Sequence, residues 1–219
     1  MTPQLQSHIA GRWIGTQPAQ ALKSAIDGST VAHTHADAID FAEALDYARR
    51  VGLPAMLKTD FQQRAGMLKA LAKFLGERKE EMYALSFHTG ATRTDGWVDI
   101  EGGTGTLFAY ASMAKELPRA GNLWHEGPQM PLGKTGAFAG THVLVPRGGV
   151  AVHINAFNFP VWGLLEKFAP TFLAGMPCIG KPATATSFLT EKQKAGQKCT
   201  ALRRALVPAD RIDAVAAKL

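Results

Sequence analysis

The sequence predicts an α/β fold with a Rossmann-like parallel sheet and flanking helices. Three observations carry this. Residues 148–183 read as strand, loop, helix, strand, the order of a βαβ unit with its helical crossover. Residues 36–117 repeat apolar positions at helical spacing. The composition, 46% apolar and 19% charged over 219 residues, is that of a chain able to bury a core.

In chain order, residues 8–15 (HIAGRWIG) read as a short edge strand. Across 36–51, Phe41, Leu45 and Ala48 share one helical face, and Gly52 stands where a C-terminal glycine stops a helix. Thr59 and Gln62 have the T-x-x-Q spacing of a capping box. Behind it Ala65, Leu68, Leu71, Ala72 and Leu75 form one stripe. A third helix spans about 80–88 and ends near Gly90. A fourth runs from about 102 to 117, where Pro118 breaks it. Residues 119–140, rich in Gly and Pro, read as a loop, 142–145 as a short β-branched strand and 146–149 as a turn. The run 150–154 is apolar enough for a buried strand. The loop 155–160 leads into an apolar helix over 161–174, closed by Gly175-Met176-Pro177, and 178–181 is the second strand.

Charge and cysteine usage exclude several classes. The net charge is +6, but the cations are scattered, and the densest group, residues 64–79, has helical spacing with Glu77, Glu80 and Glu81 interspersed. That pattern is a solvated helix face, not a nucleic-acid patch. The two cysteines, Cys178 and Cys199, form no disulfide framework and fit a reducing cytoplasm. The first residues carry no apolar run after a basic cluster, so no signal peptide is expected. The longest apolar stretch, 161–176, is interrupted by Glu166, Lys167 and Pro170, so no membrane span is expected. His33 and His35 flank Thr34 without cysteines at zinc-site spacing, and no metal is expected.

The chemistry concentrates near the βαβ unit. Asn155 and Asn158 lie in the loop I-N-A-F-N-F-P at the carboxyl end of its first strand, where open parallel sheets bind ligands. A side-chain amide there either ties the loop together or aims an N–H at a developing oxyanion, and the residues alone leave both open. Lys181 ends the second strand at the same crevice, within reach of a nucleotide ribose or phosphate. Cys199, with Lys198 beside it and Arg203 and Arg204 following, has the cationic surroundings that favour a thiolate. Cys178, inside an apolar strand, reads as inert. The glycines of G-G-T-G-T (102–106) lack dinucleotide-motif spacing and read as helix packing. Asp99 and Glu101 beside them have no evident partner in sequence.

Five stretches together carry a resemblance: YALSFHTGATRTDGWVDIEGGTGTLFAYAS (83–112), GVAVHINAFNFP, WGLLEKFAP, KPATAT and GQKCTALRR. They resemble the aldehyde dehydrogenase superfamily, in the branch of CoA-semialdehyde dehydrogenases of phenylacetate and benzoyl-CoA degradation. The resemblance implies a truncated aldehyde dehydrogenase fold, with 1–191 an incomplete cofactor-binding domain and 192–219 a remnant of the catalytic domain. It implies that Cys199 attacks the aldehyde and that Asn158, with the Cys199 backbone N–H, holds the oxyanion. Lys181, Thr184 and Asn155 would serve the cofactor. NADP is favoured over NAD, because NAD-preferring relatives place a glutamate where Thr184 falls. The partners implied are an aldehyde, possibly CoA-linked, and in the family a second copy of the chain. In the family a long segment with the general-base glutamate separates K-P-A-T-A-T from G-Q-K-C-T. Here Phe188-Leu189-Thr190-Glu191 runs almost directly into Lys194-Ala195-Gly196-Gln197, and Gly180 replaces a branched apolar residue. An inactive fragment that at most binds nucleotide is therefore the alternative.

Overall fold

The computed structural model describes residues 2–192. The chain opens with a hairpin of β1 (Ser7–Ile9) and β2 (Arg12–Ile14), antiparallel and paired His8 to Trp13. Ala10 and Gly11 turn it at φ 48° and 84°, the left-handed pair a tight two-residue hairpin needs. One edge strand was expected across 8–15. An alanine at positive φ gives no turn signal, so the reversal is invisible in the sequence. A second hairpin, β3 (Pro18–Lys23) with β4 (Thr30–His35), was not anticipated. It buries Leu22 against Ala32, and Asp27 closes its turn by accepting from the Ser29 N–H at 3.0 Å.

The expected helix over 36–51 begins later and runs further. Asp40 caps α1 (Phe41–Tyr47), which passes through a π-helical stretch (Ala48–Gly52) directly into α2 (Leu53–Leu57). Gly52 does not stop it, having right-handed helical backbone at φ −64°. In α3 (Phe61–Gly76) the capping box is Asp60 with Gln63, one residue beyond the Thr59–Gln62 pair. Asp60 accepts from the Gln63 N–H at 2.8 Å and Gln63 returns the bond to the Asp60 N–H at 3.0 Å. The stripe buries Ala65, Leu68, Ala72 and Leu75 as expected, with Leu71 half-buried. Helix α4 (Lys79–Phe87) ends before Gly90, whose φ is 84°. Helix α5 (Arg93–Met113) starts well before residue 102, opened by a Thr92–Asp95 capping box, because its glycines dilute the apolar pattern that marks a helix.

Residues 119–140 are not wholly a loop. The strands β5 (Trp124–His125) and β8 (Val143–Leu144) pair outside β6 (Met130–Pro131) and β7 (Ala139–Gly140), giving two nested antiparallel ladders. Then β9 (Ala151–Ile154), α6 (Trp162–Leu173) and β10 (Cys178–Lys181) form the expected βαβ unit, with parallel pairing from Cys178–Ala151 to Lys181–Ile154. A 3₁₀ turn (Thr184–Thr186) leads into α7 (Ser187–Lys192). The core lies among α3, α5 and α6, with Leu68, Leu75, Ile100, Leu107, Leu165 and Phe168 fully buried. Each such side chain contributes about 1.5–3 kcal/mol of apolar transfer. The expected burial of β9 holds on one side only. Val152 is 56% and Ile154 73% exposed, while His153 between them is buried.

Candidate functional site

The loop 155–160 and the turn 182–184 leave the sheet at the carboxyl ends of adjacent parallel strands, so the fold brings Asn155, Asn158, Lys181 and Thr184 to one end of the βαβ unit. Asn155 is buried and binds both strands. Its Nδ2 donates to the carbonyls of His153 and Lys181, each at 3.3 Å, and its backbone N–H donates to the Lys181 carbonyl at 3.0 Å. The amide thus does what the tying alternative required. Its Oδ1 is buried without a partner among the described residues. Asn158, three positions on, is exposed, and its side chain makes no hydrogen bond among the described residues. Lys181 and Thr184 are both exposed at the same strand end, and no carboxylate among the described residues pairs with Lys181. This end of the βαβ unit therefore offers a cation with no carboxylate partner among the described residues, an exposed hydroxyl and an exposed loop. This donor set suits the ribose and phosphates of a dinucleotide. Cys199, the expected nucleophile, lies outside the described residues, as do Lys198, Arg203 and Arg204. Cys178 is buried on β10, where an inert thiol was expected.

Beneath the loop, His153 is buried with Nε2 3.1 Å from the Thr171 hydroxyl, and burial, then nearby Lys167, depresses its pKa. Both effects disfavour the charged ring inside the βαβ unit. The loop's far end is held from another helix. Asp99 of α5 accepts from the backbone N–H of Val161 at 3.1 Å and of Trp162 at 2.8 Å. Burial pushes its pKa up to about 6, although the Trp162 and Val161 N–H bonds pull the other way. Sequence reasoning left Asp99 without a partner. The available signal was that α6 has no Ser, Thr, Asp or Asn at its own N-terminus, so its first N–H groups must be satisfied from elsewhere. Glu101, also left unpaired, accepts from Lys79 at 3.1 Å and Tyr83 at 2.9 Å, which hold its carboxyl below the usual range.

The glycine cluster is packing, as expected. A Cβ on Gly103 would sit 3.1 Å from both Leu165 Cδ1 and Trp162 Cα, and one on Gly102 3.4 Å from the Trp162 ring. These glycines let α5 touch the first turn of α6, which is what brings Asp99 within reach. Among the described residues no group of three His, Cys, Asp or Glu could hold a metal ion, and no helix is long and apolar enough to cross a membrane.

Comparison with known proteins supplies the context for this geometry. Residues 13–193 match the model of the aldehyde dehydrogenase family. The chain is 40% identical over 194 residues to the 3,4-dehydroadipyl-CoA semialdehyde dehydrogenase of Aromatoleum evansii, covering 88% of this chain and 38% of that relative. The chain thus spans well under half the length of this curated relative. Among solved structures, a betaine aldehyde dehydrogenase of Staphylococcus aureus in complex with NAD+ superposes with a TM-score of 0.72 at 18% identity, over 89% of this chain and 38% of that one. An aldehyde dehydrogenase of Physcomitrella patens solved with succinate gives 0.71 at 20% identity, over 98% and 45%. At these identities the structures establish the shared fold.

Proposed function

This chain belongs to the aldehyde dehydrogenase family, and from that premise we propose that it is the cofactor-binding part of an NAD(P)-dependent enzyme oxidising an aldehyde to its carboxylate. The substrate class we propose is a CoA-linked semialdehyde of aromatic-compound degradation, phenylacetate catabolism included, because the 40% identical relative is named for such a substrate. The observation that carries the reading is the convergence of Asn158, Lys181 and Thr184 at the carboxyl end of β9 and β10. In this reading residues 1–191 bind the dinucleotide and 192–219 bring the nucleophile. Lys181 contacts the adenosine-side ribose and phosphate. Thr184, lacking a carboxylate, admits a 2′-phosphate and favours NADP. Asn155 serves the cofactor by keeping the two strand ends together.

Chemically, the Cys199 thiolate adds to the aldehyde carbon, and the resulting oxyanion takes hydrogen bonds from the Asn158 amide and the Cys199 N–H. A nicotinamide dinucleotide held at Lys181 and Thr184 would supply the hydride acceptor needed to oxidise this thiohemiacetal to a thioester. Water then cleaves the thioester to release carboxylate and regenerate the thiol. A positioned base speeds such a step by about 10²–10⁴-fold. The family segment that carries that base is not in this sequence.

A second reading, a fragment that binds nucleotide without turnover, is favoured by the absence of that segment between Thr186 and Gly196. Rapid mixing of the chain with NADP and an aliphatic aldehyde, followed at the nicotinamide band, separates the two. A stoichiometric burst of reduced cofactor that Cys199→Ser abolishes supports the thiolate chemistry. NADP binding without any burst supports the second reading, and absence of both overturns the cofactor-domain assignment.

A further inference from the structure

We propose that Asp99 is the positioning residue of the loop 155–160: reaching across from α5, its carboxylate fixes the first turn of α6 and thereby the place at which Asn158 presents its amide. The role of Asn158 rests on the function proposed above; the positioning itself rests on geometry alone. The exposed Asn158 side chain has no hydrogen bond of its own among the described residues, so its position depends on how the loop is anchored at either end. At the strand end the anchor is Asn155, bonded to both β9 and β10. At the helix end it is Asp99, which takes both the Val161 and the Trp162 N–H. Two further ties lie there, the Gly163 N–H donating to the Phe159 carbonyl at 2.8 Å and the Thr190 hydroxyl donating to the Pro160 carbonyl at 3.4 Å. Asp99 is the side chain that takes the two N–H groups of residues 161 and 162.

Several features mark Asp99 as more than a surface cap. It is 4% exposed, so its bonds act in a low-dielectric interior where an ionised acceptor is costly unless it is used. It sits one helical turn before Gly103, and the absence of a side chain there lets the two helices approach closely enough for the carboxylate to reach. The N-terminus of α6 supplies positive dipole and unsatisfied N–H groups, both complementary to a carboxylate. Trp162 joins the same assembly, its ring lying against Gly102 and edge-on to Phe159 of the loop at 6.0 Å between centroids. A change at Asp99 therefore has a short path of covalent and packed atoms to Asn158.

The chain has three asparagines, Asn122, Asn155 and Asn158, so selective ¹⁵N-asparagine labelling of the whole chain gives three side-chain amide pairs, assignable by substitution. In Asp99→Ala the Asn158 pair is expected to shift and broaden. The Asn122 pair, whose Nδ2 donates to the Leu57 carbonyl at 3.0 Å on another part of the molecule, stays in place as the folding control. Asp99→Asn, which keeps one carbonyl acceptor and adds a fourth labelled pair from its own side chain, should give a single sharp Asn158 pair displaced less than in Asp99→Ala. If Asp99→Ala does not fold, Asp99→Asn carries the test through a smaller shift confined to Asn158. An Asn158 pair unmoved in every folded variant overturns the proposal. The readout needs no turnover. A displaced Asn158 together with an undiminished burst of reduced cofactor in Asn158→Ala would therefore overturn the oxyanion role while leaving the positioning intact.

Discussion

Asp99 and Thr184 show how differently a buried and an exposed polar residue can act. Asp99 is buried and already committed to two N–H groups, yet burial wins and its pKa rises to about 6 from an ordinary value near 4. A carboxylate with a raised folded pKa binds protons more tightly folded than unfolded. Its stabilising contribution is complete below about pH 4 and is withdrawn as pH rises through about 6. The span corresponds to about 3 kcal/mol. Asp99→Asn removes this titration. The stability difference between parent and variant, measured by denaturant unfolding across pH 4 to 7, should move in favour of the variant as pH rises. A flat difference would contradict the burial argument. Thr184 is exposed at a strand end, and its side chain makes no hydrogen bond among the described residues. Thr184→Glu places a carboxylate where we propose a 2′-phosphate binds, a repulsion on the order of 1–4 kcal/mol. Calorimetric titration should show NADP affinity falling about tenfold or more with NAD little affected, and equal losses would show that this position does not select the cofactor.

Between elements, the contact that decides the site is α5 against α6. Two glycines of one helix make its requirement measurable. Gly105 is exposed with nothing near its added Cβ, so Gly105→Ala should stabilise by about 0.5–1 kcal/mol through helix propensity alone. Gly103→Ala gains the same propensity but drives a methyl to 3.1 Å from the Trp162 Cα and 3.2 Å from its N, backbone that cannot swing away. It should destabilise by about 1–3 kcal/mol. Thermal unfolding of the pair reads the sign directly, and two stabilising substitutions would mean the helices are not tightly apposed. A related device closes the other end of α6. The buried guanidinium of Arg64 donates to the Leu173 carbonyl at 2.9 Å and to the carbonyl of Thr59, tying the end of α6 to the start of α3. With Asp99 at one end and Arg64 at the other, α6 is held by charged side chains from two neighbouring helices.

On the scale of the molecule, large apolar side chains are exposed at several places among the described residues. On β9, Val152 and Ile154 face outward beside the loop residue Phe157, 66% exposed, and in the nested ladders Leu132 and Phe138 are 68% and 74% exposed. Exposed apolar side chains, where they gather into patches, drive association. The chain should show concentration-dependent self-association in light scattering. Val152→Ser with Ile154→Ser should reduce it without lowering the unfolding temperature, since neither side chain is in the core. A monomer at all concentrations would show that the exposed strand face is tolerated.

Much of this architecture was legible in the sequence because the signals are local. The stripe of α3 follows from apolar spacing within one helix. The βαβ unit follows from a strand, a helix and a strand with punctuation between them, and β10 was found at its observed bounds. The convergence of Asn158, Lys181 and Thr184 needed only the rule that parallel strands end on the same side. Local signals also misled where a residue acted against type, as with Ala10 in a left-handed turn and Gly52 inside a helix. What only the tertiary structure decided lies between residues far apart in the chain. The partners of Asp99 are 62 and 63 positions away, and the Leu173 carbonyl is 109 positions from Arg64. The exposed face of β9 likewise depends on which elements lie beside it. Amino-acid type and spacing encode what a residue can bond or bury; only the packed chain determines which distant donor, acceptor or surface meets it.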